Sequence, residues 1–440
     1  MFRKAVSGIM LTFLLVGLFS LAINVKPAKS TWTGTVYIRA DGSIDPPDAP
    51  IITYDNVTYT LTDNITSSAD GIVVETDNIV INGNGYTING AVESANSGIE
   101  LLNRVNVTIQ NINIQNFNYG IYLESSSNTV ISGNNITNNK AGIYFYYSSN
   151  SAITGNNITN NWYGIELSLS SSNTVSGNNI TNNWYGILLI DSSNTVISGN
   201  NIAANDWEGV WLNRSTNNTV SGNNIANNYD GIYLLQSSNN KIYHNNFMNN
   251  INQVSSEVSI NVWDDGYPSG GNYWSDYAGV DADGDGIGDT PYVIDDNNID
   301  HYPLMGPFNS FNTSVGYFVD VVSNSTIGDF TYFESNSTIV MHVSNMTANQ
   351  TVGFCRLTIP HEVMSPPYTV KVNGTEVECK TIYENYTEGV SIIYFTYEHS
   401  RLEIVITPEF PSITILLLML MVISIIASVK RKVLRRKFPI

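Results

Sequence analysis

Ser132-Gly133-Asn134-Asn135-Ile136-Thr137-Asn138-Asn139, followed by Lys140-Ala141-Gly142-Ile143-Tyr144-Phe145, decides the fold. The stretch returns with few changes at Thr154, Ser176, Ser198 and Ser221. Its leading glycines, Gly133, Gly155, Gly177, Gly199 and Gly222, step by 22 or 23 residues. A second series, Gly98, Gly120, Gly142, Gly164, Gly186, Gly209 and Gly231, keeps the same beat. Self-similarity at such a period marks a solenoid. No repeat sustains apolar residues at helical spacing. Each holds short β-like pieces instead: Ile131-Ser132-Gly133, Asn135-Ile136-Thr137 and Gly142-Ile143-Tyr144-Phe145. Asn and Gly separate them, and both tolerate the left-handed backbone of tight corners. Three strands and three corners per repeat make one rung of a parallel β-helix, with rungs about 4.8 Å apart.

The columns of that helix can be written out. Ile131, Ile153, Val175, Ile197, Val220 and Ile242 form one inward stack. Ile136, Ile158, Ile180, Ile202 and Ile225 form a second. Ile121, Ile143, Ile165, Ile187, Val210 and Ile232 form a third, and Leu123, Phe145, Leu167, Leu189, Leu212 and Leu234 a fourth. Asn135, Asn157, Asn179, Asn201, Asn224 and Asn246 are expected as a buried ladder of amides that satisfies the corner backbone.

Outward from the repeats, the chain reads as an exported, anchored protein. Residues 1–22 have a signal-peptide pattern: Arg3 and Lys4, an apolar run from Ile9, and a small-x-small end at Ser20-Leu21-Ala22. Residues 413–429 are apolar and of bilayer-spanning length, and the basic tail 430–440 marks the cytoplasmic side. The formal net charge is −19. The two ends hold eight of the 19 basic residues and none of the 38 acids, so the exported body carries about −27. That excludes nucleic acid as a natural partner and favours gathering cations.

The β-helix with its N-terminal cap is expected over 31–262. A loop-rich segment rich in Asp and Gly follows over 263–308, then a β-sandwich-like domain over 309–407. Strand candidates in that domain are Thr338-Ile339-Val340-Met341-His342-Val343, Tyr368-Thr369-Val370-Lys371-Val372 and Val390-Ser391-Ile392-Ile393-Tyr394-Phe395. The two cysteines, Cys355 and Cys379, both fall there, and an extracellular address permits a disulfide between them.

The Gly-Asn-Asn-Ile-Thr-Asn-Asn…Gly-Ile repeats resemble the NosD-like right-handed parallel β-helix proteins, including their archaeal surface relatives. Gly271-Asn272-Tyr273-Trp274-Ser275-Asp276-Tyr277, with Asp281 to Asp289 and Ile299-Asp300-His301-Tyr302-Pro303-Leu304, is similar to the segment that follows such helices. The resemblance covers roughly residues 31–307. It implies copper delivery in the manner of the founding member, or carbohydrate binding and hydrolysis in the manner of related helices. Pro408-Glu409-Phe410 before the apolar run resembles archaeal surface-sorting tails, which implies processing of the anchor.

Four sets of residues carry candidate chemistry. Asp281, Asp283, Asp285 and Asp289, with Gly286, match positions 1, 3, 5, 9 and 6 of a calcium loop. Tyr292 stands where that motif has its bidentate Glu, so a structural calcium site is expected rather than a full EF-hand, with Asp295 or Asp296 as further ligands. Trp162, Trp184, Trp207 and Tyr229 precede the repeat glycines, and Tyr122, Tyr144, Trp211 and Tyr233 follow them. Stacked along the axis, they are expected as a flat strip, either a platform for sugar rings or an outer wall that stacks on itself. Glu208 and Asp230 share a column on adjacent rungs beside that strip. They read as a glycosidase-like pair, a cation site or a solvated patch. The five histidines are scattered, with no His-x-His in the body, which is a poor match to copper. The reading is therefore an exported, membrane-anchored surface protein that binds glycans or serves as an envelope scaffold. A carbohydrate-active enzyme using Glu208 and Asp230, and a metal-delivery factor, are the alternatives.

Overall fold

The computed structural model describes residues 32–91, 96–398, 400–409 and 420–426. The expected signal segment, 1–22, and the basic tail, 430–440, lie outside the described residues. So does most of the expected membrane span. Its described part, residues 420–426, is helical and exposed. Among the described residues no helix is long and apolar enough to cross a membrane.

Two compact units divide the chain. The first comprises the described residues up to Thr174 together with Asn178–Ile190. It is built of parallel rungs whose three strands recur in order, as in Val130–Ser132, Asn135–Thr137 and Ala141–Tyr146. Ile143 pairs with Ile165 and Ile165 with Ile187, all fully buried. Ile136, Ile158 and Ile180 stack in the same way, as do Leu123, Phe145, Leu167 and Leu189. Each such side chain contributes roughly 1.5–3 kcal/mol of burial. The glycine before each long strand is fixed by packing. A Cβ at Gly142 would lie 2.6 Å from the Gly164 carbonyl oxygen, closer than side chains approach backbone.

The amide ladder sits one residue earlier than expected. Gly133 turns the corner at φ 63°, and Asn134, not Asn135, points inward. Asn134 Nδ2 donates to Asn156 Oδ1 at 3.0 Å and to the Ile109 carbonyl at 3.0 Å. Asn156 repeats this with Asn178 and the Ile131 carbonyl. Asn139, Asn161 and Asn183 form a second buried ladder at the next corner. Asn135, Asn157 and Asn179 do bond along the axis, but on the outside. Strand alternation explains the shift: Ile136 must point in, so its neighbour Asn135 points out.

The second unit, Val175–Gly177 with the residues from Asp191 on, continues the pattern and then changes architecture. Ile197, Val220 and Ile242 stack, as do Val210 and Ile232, and Leu212 and Leu234. The helix does not end at 262. Tyr273–Trp274 pairs in parallel with Asn246–Met248, and Asn272 Oδ1 accepts the Asn245 amide, prolonging the buried ladder. Rings close this end: Trp274 stacks on Phe247 at 4.3 Å and on Tyr292 at 4.2 Å, and Trp263 is fully buried beside it. Asp300, buried beneath them, accepts from Trp274 Nε1 at 2.9 Å and from the Asn272 amide at 2.8 Å.

A β-sandwich of two five-stranded antiparallel sheets follows. One contains Phe318–Ser323, Val352–Pro360 and Val390–Glu398, and the other Thr338–Asn345, Leu402–Pro408 and Tyr368–Val372. Val321, Met341, Leu357, Val370, Phe395 and Ile404 share its core. The expected disulfide is absent: Cys355 and Cys379 are free thiols. Cys355 is wholly buried among Ser323 and Tyr397, whereas Cys379 is partly exposed at the margin of the same core. Burial pushes both thiols up to about 11, so neither is a ready thiolate.

Candidate functional site

The long strand of each rung and the corner just before it present the aromatic residues. In the first unit Trp162 and Trp184 stack at 4.3 Å and 7°. Parallel rings at that spacing cover each other's faces and leave their edges to solvent, so these two indoles form a wall. The same holds for Tyr163 and Tyr185, at 5.1 Å and 13°.

The second unit differs. Trp207 and Tyr229 are 5.4 Å apart but inclined by 45°, and Trp211 and Tyr233 are 5.7 Å apart and inclined by 31°. Inclined rings leave part of their faces open; Trp207 and Tyr229, at 41% and 43%, are about as exposed as Trp162 and Trp184, at 46% and 36%, so inclination and not exposure distinguishes the two pairs. Between them in sequence and register lie the acids. Glu208 pairs with Asp230 across adjacent parallel strands, and they are only 8% and 7% exposed. Asp230 Oδ1 accepts from Asn252 Nδ2 at 2.7 Å. Glu208 Oε2 is buried without a hydrogen-bond partner. Burial first, and then the charge of Asp230, push the Glu208 carboxyl above its ordinary range. Tyr233 donates to Glu257 at 3.1 Å, and its phenol is pushed up by burial, by that bond and by the charges of Glu257, Glu208 and Asp230. Asp206, next to Trp207, is exposed.

In the first unit the expected column residues Tyr122 and Tyr144 are joined by Tyr119 and by acids that the spacing alone did not single out, Glu100, Glu124 and Glu166. Tyr122 and Tyr144 lie 5.6 Å apart, with Tyr119 against both. Tyr122 donates to Glu124 at 2.7 Å, and Ser168 to Glu166 at 3.1 Å. Burial raises the Glu100 and Glu166 carboxyls. The signal was present: Glu100 and Glu166 occupy the outward column of Tyr122 and Tyr144, two residues after the glycine.

In the acidic loop, Asp281, Asp283 and Asp285 each bring a carboxylate oxygen within 4.8 Å of the others. Asp289 is not part of that trio; its Oδ2 accepts the Ala282 amide at 2.6 Å. Nor do Tyr292, Asp295 or Asp296 join it. Tyr292 donates to Asp276, and Asp295 accepts from Asn298. Asp281 gathers the amides of Gly284, Asp285 and Gly286, which coils the loop. Burial and the neighbouring carboxylates raise Asp283. Lys380 Nζ donates to the carbonyls of Asp283 and Gly284, at 2.8 and 3.2 Å. Three crowded hard oxygens fit a calcium-type cation.

Copper is different. His301 pairs with Asp264, His361 with Ser391, and His244 stacks on Phe308. His342 lies 3.9 Å from Asp329 and Glu403. Among the described residues no imidazole or thiol joins a metal-ligating group of three, so these donors do not fit copper.

Stacked parallel rungs with an outward aromatic and acidic face define a parallel β-helix protein. More particularly, the chain belongs to the NosD family: the family model described as periplasmic copper-binding protein (NosD) matches residues 32–183 and 77–279. No curated protein matches. Solved structures similar in fold include the periplasmic alginate epimerase AlgG, at 18% identity and TM-score 0.35, covering 44% of this chain and 64% of that one. The Dettilon tailspike protein matches at 13% identity and TM-score 0.38, covering 86% and 85%. An alginate lyase from Paenibacillus sp. matches at 14% and 0.35, covering 48% and 90%. The chain thus spans under two thirds of the epimerase's length.

Proposed function

We propose that this is an exported, membrane-anchored surface β-helix that binds polysaccharide of the cell envelope, through Trp207, Glu208, Trp211, Tyr229, Asp230 and Tyr233. One observation carries the reading: a buried carboxyl with an unpartnered oxygen, Glu208, is kept at an outward face between the exposed, inclined Trp207 and Tyr229 and the partly covered Trp211 and Tyr233. Leaving that oxygen unpaired costs about 1–3 kcal/mol, and such costs cluster where a ligand is met. Sugar rings offer what the patch lacks. Their C–H faces stack on Trp207 and Tyr229, and their hydroxyls donate to Glu208 and Asp230. Tyr122, Tyr144 and Glu166 offer a similar combination within the first unit.

The address rests on the signal pattern of 1–22 and on the apolar run 413–429 with its basic tail. A structural calcium ion held by Asp281, Asp283 and Asp285 would neutralise the acidic loop and pin it. The raised Glu208 carboxyl beside Asp230 favours one second reading, hydrolysis of a glycosidic bond with Glu208 as acid.

Binding of the full chain to an array of envelope and plant polysaccharides tests the proposal. Retention on at least one anionic or neutral glycan is expected, and retention on none would remove it. Release of reducing sugar, lost in Glu208→Gln, would establish the hydrolase; retention without release leaves a binder.

A further inference from the structure

A cavity of about 460 Å³ opens in the second unit, of the size that holds small ligands. His244, Asp265, Phe308, Asp320, Arg356 and Glu388 line it, and it shares no residue with the aromatic face. Arg356 is its singular member. It projects from Val352–Pro360 and is 2% exposed. Its methylenes pack on Gly286, where a Cβ would come within 2.9 Å of Cδ. Among the described residues it makes one hydrogen bond, to the Pro268 carbonyl, and no ion pair within 4 Å, and its Nε has no partner. A guanidinium stays charged and carries five N–H donors, so this one is buried with most of its capacity unused. The Asp285 and Asp281 carboxylates of the acidic loop offset part of its charge from beyond ion-pair distance, and burying a charge without a directly paired anion is costly.

The same cavity is lined by acceptors. Asp320 takes one bond from Ser310 at 2.5 Å. Asp265 takes one from Ser269 at 2.9 Å, and Glu388 one from Tyr383 at 3.1 Å. Each carboxylate has further lone pairs to satisfy. Phe308, stacked on His244 at 4.4 Å, supplies an apolar wall. The ligand must therefore bring one negative charge for Arg356, several O–H donors for the carboxylates and a face for Phe308. A doubly charged phosphate or sulfate would meet three carboxylates and repel them.

We infer that this cavity binds a sugar acid: a pyranose carrying one carboxylate, which pairs with Arg356 while its hydroxyls donate to Asp265, Asp320 and Glu388. The site is independent of the polysaccharide face, and either can stand if the other falls.

Calorimetric titration of the full chain with glucuronate and galacturonate tests it, beside glucose, which brings hydroxyls alone, and acetate, which brings charge alone. A uronate is expected to bind at least about tenfold more tightly than glucose or acetate, the worth of one charge-assisted hydrogen bond. Arg356→Gln should abolish the preference over glucose. Because Arg356 also braces the acidic loop, Glu388→Gln gives a second arm. It lies on an exposed residue, and it should weaken uronate several-fold with the melting temperature unchanged. Equal affinity for uronate and glucose, equal affinity for uronate and acetate, no binding of any, or a Glu388→Gln variant that binds as the native chain does would each overturn the assignment. Since the probes are single sugars, loss here leaves polysaccharide retention as a separate result.

Discussion

Glu208 and Asp230 pair in register across two parallel strands, both nearly sealed from solvent, and only Asp230 has a side-chain hydrogen-bond partner. Two stacked acids repel, and burial strengthens the repulsion. The raised Glu208 carboxyl relieves part of it. Glu208→Gln removes one charge and keeps the shape. It should raise the melting temperature by a few degrees, on the order of 1 kcal/mol, measured at pH 7. A lower melting temperature would mean that Glu208 has a stabilising partner the geometry does not reveal.

The two amide ladders differ in burial, so they should differ in cost. Asn156→Leu strands the Asn134 amide and the Ile131 carbonyl, both buried. It should destabilise by at least about 2 kcal/mol. Asn157→Leu breaks only two exposed amide bonds, to Asn135 and from Asn179, and should cost under about 1 kcal/mol. Urea unfolding of the two variants decides; the reverse order would place the ladder at Asn157.

Asp300 ties folding to pH. Burial, outweighing the bonds from Asn272, Trp274 and Tyr302, lifts its folded pKa to about 6, against about 3.8 when unfolded. The folded state then holds the proton more tightly, so this stability is full below pH 4 and fades as pH rises through 6. The difference is at most about 3 kcal/mol. Native protein minus Asp300→Asn, compared by urea unfolding in chelator at pH 4.5 and pH 7, should show the larger value at pH 4.5. A larger value at pH 7 would contradict the shift.

Calcium added to chelator-treated protein should raise the melting temperature. A stabilisation of about 2.7 kcal/mol is expected at a hundred times the dissociation constant. Asp281→Asn and Asp283→Asn should abolish the shift. An unchanged native curve, or an equal shift in both variants, would leave the loop to Lys380 and Arg356.

Much of this was legible because repetition makes packing visible. The beat of Gly142, Gly164 and Gly186 placed Ile143, Ile165 and Ile187 above one another, as they are. Inward and outward neighbours were harder, since Asn134 and Asn135 differ only by the corner at Gly133. The end of the helix was missed because the last rung breaks the period, although Gly271-Asn272 echoes Gly222-Asn223. The disulfide failed because two cysteines in one domain say nothing of whether their side chains meet. Ring inclination, which separates Trp207 from Trp184, depends on local backbone and leaves no trace in spacing.

That separation gives the most direct measurement: polysaccharide retention and melting temperature for Trp207→Ala and Trp184→Ala side by side. Trp207→Ala should lose at least about tenfold in binding with little change in melting. Trp184→Ala should keep binding and melt lower, by the roughly 1 kcal/mol of a stacked pair beyond its burial. Full binding by Trp207→Ala, or loss confined to Trp184→Ala, would contradict the account.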